Sequence, residues 1–318
     1  MKKQIIAAAV AASMSAVALA DVAITGSAVV NWNSTDEAVT GASNQIETEL
    51  DFNVVGKVGD TSYTVNLESN VDSDGDTSDG SADQTASILN VKNSYLTTKV
   101  GDLDVKMGTW YTGDSNLNNG GRQEPRVSIT SGMGPMSVNF QHEPGITSGD
   151  HNEVTVKAAI GGVDVSYEME NTNDHKILGL SGDISGVKFT YVDSDSDAAT
   201  NGDDETGYTI TADIAGMTVT YQSAESDGDE GTSSDGFFGT IAKLGKASGV
   251  GITTNVAGNK VQVRNYEVET RTGGSNAAGI RDTKIIVTRA LASGATAEVT
   301  YRTGDSKDFL DVELAVKF

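Results

Sequence analysis

The sequence predicts an all-β fold, a transmembrane antiparallel β-barrel of roughly 16–18 strands with short periplasmic turns and longer external loops. Three observations predict it. A strict apolar/polar alternation runs into Phe318, an apolar leader opens the chain, and one hairpin unit is copied along the sequence between them.

The alternation is clearest in the last strand, where Leu310, Val312, Leu314, Val316 and Phe318 are spaced by two and separated by Asp311, Glu313, Ala315 and Lys317. Successive side chains of a strand point to opposite faces, so this segment is apolar on one side and charged on the other, as a strand between lipid and a wet lumen must be. The final strand of a soluble sandwich more often trails into frayed polar residues, with no use for a terminal aromatic.

The leader has the form of a secretion signal. Met1, Lys2 and Lys3 give a positive start, an alanine-rich apolar run follows, and Ala18-Leu-Ala20 is a small-x-small cleavage site. The expected division is a cleaved signal peptide over residues 1–20 and a single barrel domain over residues 21–318. No later apolar stretch is long enough for a spanning helix, so a membrane crossing must use closed strands.

Composition agrees with this division. The mean hydropathy of −0.26 is what results when lipid-facing and lumen-facing residues alternate. The absence of cysteine excludes a disulfide framework, a thiol nucleophile and a thiolate metal site. The formal charge is −23 and becomes −25 when Lys2 and Lys3 leave with the signal. That surface excludes nucleic acid, which needs a positive footprint, and favours a setting in which salt or divalent cations screen the repulsion.

The copied unit is seen in Leu103-Asp-Val105-Lys-Met107, Met136-Ser-Val138-Asn-Phe140, Val163-Asp-Val165-Ser-Tyr167, Val187-Lys-Phe189-Thr-Tyr191, Met217-Thr-Val219-Thr-Tyr221 and Ala297-Glu-Val299-Thr-Tyr301. Each has period two with β-branched and aromatic residues, and each follows a short glycine-containing turn. The turns fall at Gly59-Asp60, Gly101-Asp102, Gly132 to Pro135, Gly161-Gly162, Gly182 to Gly186, Ala215-Gly216, Ala257 to Asn259 and Ser293-Gly294. Eight hairpins, a first strand from Val22 to Trp32 and a last from Phe309 to Phe318 make eighteen strands. The count becomes sixteen if one hairpin is a loop excursion. The weakest region is 237–256, where Phe237 to Leu244 reads equally as a strand or as one external helical turn.

Phe140, Tyr167, Tyr191, Tyr221 and Tyr301 recur at one height, and Trp32 and Trp110 close two other strands. Rings at a constant height suit an interfacial girdle.

With these features in place, the chain resembles the Gram-negative general porins, most closely the small acidic ones of marine or photosynthetic bacteria. The best stretch runs from Asn93 through Tyr95, Gly101-Asp102 and Lys106 to Trp110, similar to that family's fourth and fifth strands and their turn. The resemblance implies an outer-membrane homotrimer contacting lipopolysaccharide, and passive diffusion of small hydrophilic solutes and ions. It also implies an inward-folding third loop near residues 112–126 and recognition of Phe318 by the barrel-assembly machinery. Two departures are a short third loop and more strands than the family's usual sixteen. The alternative function is a substrate-selective channel for a sugar or an anion, for which Trp110 and a few tyrosines would be the lumen aromatics.

Rings of charge near the narrowest point set the selectivity of a wet pore. The inward loop offers Asp114, Arg122, Glu124 and Arg126, and the polar faces of strands offer Glu47, Glu49, Asp51, Lys92, Lys106, Lys157, Arg264 and Arg302. The porin resemblance implies acids on the inward loop facing bases on the wall. The plain alternative for each residue is a solvated face near the rim.

The heaviest acid lies in external segments, where Asp72-Ser-Asp74-Gly-Asp76 has the carboxylate spacing of a calcium loop. An EF-hand needs glycine at its sixth position and glutamate at its twelfth, and Thr77 and Asp83 stand there instead. The expectation is no dedicated cofactor, with Ca2+ or other divalent cations at these loops as the option and a mild cation preference at the mouth. Catalysis is not expected. The three histidines are His142, His151 and His175; Ser148 and Asp150 lie near His151, but at a glycine-flanked loop tip where such neighbours are common.

Overall fold

The computed structural model describes residues 21–35, 43–72, 90–112, 122–144, 150–171, 175–195, 204–226, 232–235, 237–242, 244–272, 275–276, 279–292, 294–305 and 308–318. The strands are β1 (Asp21–Thr35), β2 (Ser43–Val58), β3 (Thr61–Asp72), β4 (Asn90–Val100), β5 (Leu103–Thr112), β6 (Arg122–Met133), β7 (Met136–Glu143), β8 (His151–Ile160), β9 (Val163–Glu170), β10 (Lys176–Ile184) and β11 (Val187–Asp195). They continue with β12 (Glu205–Ile214), β13 (Met217–Ser226), β14 (Thr232–Asp235), β15 (Gly239–Ala242), β16 (Leu244–Val256), β17 (Asn259–Thr272), β18 (Ser275–Asn276), β19 (Ile280–Ala290), β20 (Ala295–Gly304) and β21 (Phe309–Lys317).

Eighteen of these strands form one closed antiparallel barrel, each paired with its sequence neighbours. The strands outside it are β14 and β15, which pair with each other, and β18, a two-residue bridge on β17. The seam closes where β1 pairs with β21, Ser27 opposite Lys317. Beyond β21 the Phe318 N–H donates to the Gly26 carbonyl at 3.0 Å, and the Gly26 N–H donates back at 2.7 Å. Closure leaves no unpaired edge, the condition for backbone to cross hydrocarbon.

One end of the barrel is drawn tight by two-residue turns. At Ala215-Gly216 and Ala257-Gly258 both residues have positive φ (52° and 81°, 50° and 79°), the mirror-image turn whose twist matches that of the flanking strands. The second position of each is the glycine that such a φ favours.

Parity then sorts the side chains. Val30, Tyr63, Met107, Phe140, Tyr167, Tyr221, Tyr301 and Leu314 are exposed on the outer face. Residues of opposite parity, among them Asn31, Glu68, Lys106, Gln141, Glu168, Arg302 and Asp311, face the lumen. The five repeated aromatics therefore belong to the outer face, and Trp32 joins them.

Three expectations need correction. Trp110 is not in the girdle: it shares its face with Lys106, and it is buried on the lumen side. The third loop is narrower than 112–126, because Thr112 pairs with Arg122, Trp110 with Glu124 and Gly108 with Arg126. That charged stretch looked like loop by composition but continues β6 as a paired strand, since a lumen-facing strand tolerates charge at alternate positions; residues 113–121 lie outside the described residues. Phe237 to Leu244 is neither a wall strand nor an external helical turn. It belongs to the β14–β15 hairpin and the start of β16, and the hairpin folds against the inner wall.

Candidate functional site: the lumen wall

The hairpin supplies the barrel's internal hydrophobic cluster, in which Phe237 and Phe238 pack with Ala224, Ala247, Tyr266 and Val268. The ring centroids of Phe237 and Phe238 are 5.0 Å apart, and Phe238 stands edge-on to Tyr266 at 6.0 Å. The wall has a notch to receive them. A Cβ on Gly249 or Gly251 would come within 2.8 or 2.9 Å of the Phe237 ring, so side chains at these two positions would expel it. Arg264 fastens the hairpin tip by donating from Nη1 to the Phe237 carbonyl at 3.0 Å. Burying two phenylalanines stabilises the docked form by about 3–6 kcal/mol.

Beside this anchor runs a basic row. Arg264 is directly opposite Lys284, and Lys284 is directly opposite Arg302, on β17, β19 and β20. Like charges directly opposite one another on a sheet destabilise it, and Glu298 and Asp311, within Coulombic reach of Lys284, offset part of that repulsion. The expected lumen bases Arg264 and Arg302 are thus brought together. Lys284, which completes the row, was missed although it lies on the polar face of an alternating strand.

Another sector carries acids. Glu49, Asp51 and Glu68 place one carboxylate oxygen each within 4.8 Å of one another, Ser27 donates to Asp51 at 3.3 Å, and Lys92 pairs with Glu68 at 2.8 Å. Lys92 reaches inward because the β3–β4 ladder slips by a residue between Asn66 and Leu67. Nearby on β21, Asp311 accepts from Asn31 at 3.2 Å. Lys106 lies between aromatic faces, 4.0 Å from the Tyr95 ring centre and 4.2 Å from that of Trp110, where a cation is held by the ring quadrupoles.

A polar belt lines the wall where β6 to β12 reach the end opposite the tight turns. Arg126 pairs with Glu143 at 3.3 Å with both side chains almost fully buried. Glu143 is 3.4 Å from His151, and Glu170 is 3.2 Å from His151 and 3.5 Å from His175. Glu153 and Glu168 lie on the same face, and Thr155 Oγ1 is 2.9 Å from Glu153 and 3.3 Å from Glu168.

Of the residues expected to tune the pore, Glu49, Asp51 and Lys92 form one group on the lumen wall, and Lys106 and Arg126 are diagonal neighbours on β5 and β6. Glu47, Arg122 and Glu124 occupy strand positions of lumen parity, but their side chains, with that of Asp72, lie outside the described residues, as do Asp114, Asp74 and Asp76 entirely. The belt acids Glu143, Glu153, Glu168 and Glu170 were missed; Glu153, Glu168 and Glu170 each alternate with an apolar neighbour, and that parity was the signal available.

No known protein-family model matches the chain, and no curated protein matches it. Solved structures do. The chain is similar to a BenF-like porin from Pseudomonas fluorescens Pf-5 at a TM-score of 0.70 and 12% identity, covering 95% of this chain and 99% of that one. It is similar to the outer membrane protein opdK of Pseudomonas aeruginosa at a TM-score of 0.70 and 11% identity, over 94% and 98% of the two chains. A third is OccK2 (OpdF) of the same species, solved with glucuronate, at a TM-score of 0.68 and 10% identity over 94% and 96%. What is shared at this identity is the fold, an eighteen-stranded barrel of the outer-membrane porin type.

Proposed function

We propose that the chain is an outer-membrane porin of a Gram-negative bacterium, a passive diffusion channel for small hydrophilic solutes and ions. One observation carries this reading: a closed barrel of eighteen strands whose apolar face looks outward and whose charged face looks into the lumen. Barrels of this size leave an aqueous channel where eight strands would be filled by side chains. The channel carries out no covalent chemistry and couples to no energy source. The barrel works as a homotrimer in contact with lipopolysaccharide, its Phe318 is recognised by the assembly machinery, and its acidic external loops bind divalent cations loosely.

Acids on the Glu49, Asp51 and Glu68 sector and in the external loops support a mild cation preference at the mouth. The Arg264–Lys284–Arg302 row favours a second reading, a channel selective for solutes that carry a carboxylate or similar anion. The glucuronate bound by OccK2 has that chemistry.

Planar-bilayer recording of the purified protein under a salt gradient tests both. Large steps in three equal levels with a cation-selective reversal potential support the general porin. Small steps blocked by glucuronate support the selective channel, and absence of conductance overturns both.

A further inference from the structure

We infer that His151 and His175 make the polar belt a proton-operated switch of ion selectivity. In acid both rings are charged and the belt is one continuous chain of contacts; as the pH rises they become neutral, and the wall is left more negative and more selective for cations. The inference rests on the wet, conducting lumen proposed above. His151 begins β8, Glu170 ends β9 and His175 precedes β10, and all three have lumen parity. The backbone holds them at one point of the rim. The Glu170 N–H donates to the His175 carbonyl at 2.8 Å, and the Asn171 N–H donates to the Asn152 carbonyl at 3.0 Å. Asn171 Nδ2 donates to the Asp150 carbonyl at 3.2 Å.

The first argument is the chemistry of the partners. His151 Nδ1 is 3.4 Å from Glu143 Oε2, and its Nε2 is 3.2 Å from Glu170 Oε2. An ionised carboxylate only accepts, whereas a neutral imidazole has one donor and one acceptor. His151 therefore serves both carboxylates only as imidazolium. Without the second proton, a ring lone pair faces one of them.

The second argument is continuity. His175 Nδ1 is 3.5 Å from the same Glu170 oxygen, approaching it from another strand, and its Nε2 is 2.6 Å from Ser194 Oγ, a hydroxyl that can donate or accept. His175 keeps both contacts in either state, so its proton adds charge to the wall, while that of His151 makes or breaks the chain. With both rings charged, the contacts run from Arg126 through Glu143, His151 and Glu170 to His175 and Ser194, from β6 to β11. His142 is different: its Nδ1 meets Asn152 Oδ1 at 2.9 Å, and its parity turns it away from the lumen.

Charge gives the third argument. Glu153 on β8 and Glu168 on β9 each bring an oxygen within 4.8 Å of Glu170, and Glu205 stands opposite Ser194 on β12. Lys176 and Asp195 are opposite one another on the other face of the sheet. Arg126 against the four ionised carboxylates of Glu143, Glu153, Glu168 and Glu170 leaves a net −3 (1 − 4) with neutral imidazoles and −1 (3 − 4) with charged ones. The two rings are 16% and 18% exposed, so they exchange protons with the lumen. Histidine is the side chain that changes charge between about pH 5 and 8, and a less negative wall draws fewer cations.

Two measurements on the full barrel test the switch, in the parent, His151→Gln, the double variant His151→Gln with His175→Gln, Glu168→Gln and, as control, His142→Ala, each first checked for barrel circular dichroism. In planar bilayers under a dilute KCl gradient, the parent's reversal potential should move toward the cation side as the pH rises from about 5 to 8. The double variant should lose most of that movement, and His142→Ala should keep it. In detergent, the parent's unfolding temperature should fall over the same rise, because contacts made by the charged form are present below the imidazole range and lost above it. His151→Gln should flatten that fall. Conductance with a selectivity that is flat over this range, or that moves equally in the folded double variant, overturns the switch and leaves the porin reading standing. A movement lost only in Glu168→Gln overturns it too, since it assigns the proton to a carboxylate. Absence of conductance overturns the porin reading and the selectivity switch with it, and an equal fall in unfolding temperature in the parent and His151→Gln overturns the proton link of the belt.

Discussion

Two sectors of one wall use the same period-two rule to opposite ends. At one end of β6 to β12 inward acids, His151, His175 and Arg126 satisfy one another along the wall. On β13 and β16 the inward residues Ala224, Ala247, Gly249 and Gly251 are small, β17 to β20 add the basic row, and a hairpin from the adjoining segment lies against them. The difference rests on residue size as much as on charge. Gly249, Gly251, Ala224 and Ala247 leave a recess, whereas Glu143, Glu153 and Glu168 fill their own space. A barrel sector with a run of glycine and alanine on its inner face invites an inserted segment, and one that packs its own polar belt stays a plain wall.

The largest expected effect is therefore on the hairpin. Replacing Phe237 and Phe238 together with alanine removes most of the about 3–6 kcal/mol that their burial contributes, enough to undock β14–β15. In single-channel recording the unit conductance should rise, and in the folded barrel a protease site within 232–242 should become accessible. Gly251→Leu should do the same from the other side of the contact, since its side chain occupies the place of the Phe237 ring. Unchanged conductance in both variants would show that the hairpin does not narrow the path.

The next effect belongs to the belt. Arg126→Ala leaves Glu143 buried without the guanidinium 3.3 Å away, a change that costs up to about 3–5 kcal/mol. The temperature at which the barrel unfolds in detergent should fall, and Glu143→Gln combined with Arg126→Met should recover most of the loss. If Arg126→Ala alone is as stable as the parent, the belt is not a structural element.

These two sectors were not equally legible. Most strand positions and the glycine-containing turns follow from local patterns, while the start of β6 over 122–126 reads as loop by composition and is a paired strand. The belt was half legible. Parity alone places Glu143, Glu153, Glu168 and Glu170 inward, but His151 and His175 sit at strand edges, where composition reads as loop, and only register joins them. The hairpin was not legible. Phe237-Phe238 is a short apolar run that fits strand or helix, and its place is set by two glycines on β16 whose signature in sequence is merely a weak strand. A recess is made by what is missing on one strand and filled by another segment, so no single window of sequence contains it.

The smallest effects concern charge on the open parts of the wall. Lys284→Glu turns the basic row into an alternating one. With an interaction of about 1 kcal/mol per charge pair across water at 4 Å, the reversal potential should move toward cations at low salt. The shift should shrink once the screening length drops to about 10 Å near 0.1 M salt. On the acidic side, Lys92→Ala removes a pair that is short, 2.8 Å, but whose lysine is 42% exposed. Solvent-exposed pairs contribute about 0–1 kcal/mol, so barrel stability should barely change, while the net negative charge of the Glu49, Asp51 and Glu68 group grows by one. A measurable gain in cation selectivity without loss of stability would separate the two jobs a lumen charge can do. A marked loss of stability would mean that Lys92 holds the slipped β3–β4 ladder together, and that this sector resembles the buried belt more than the open row.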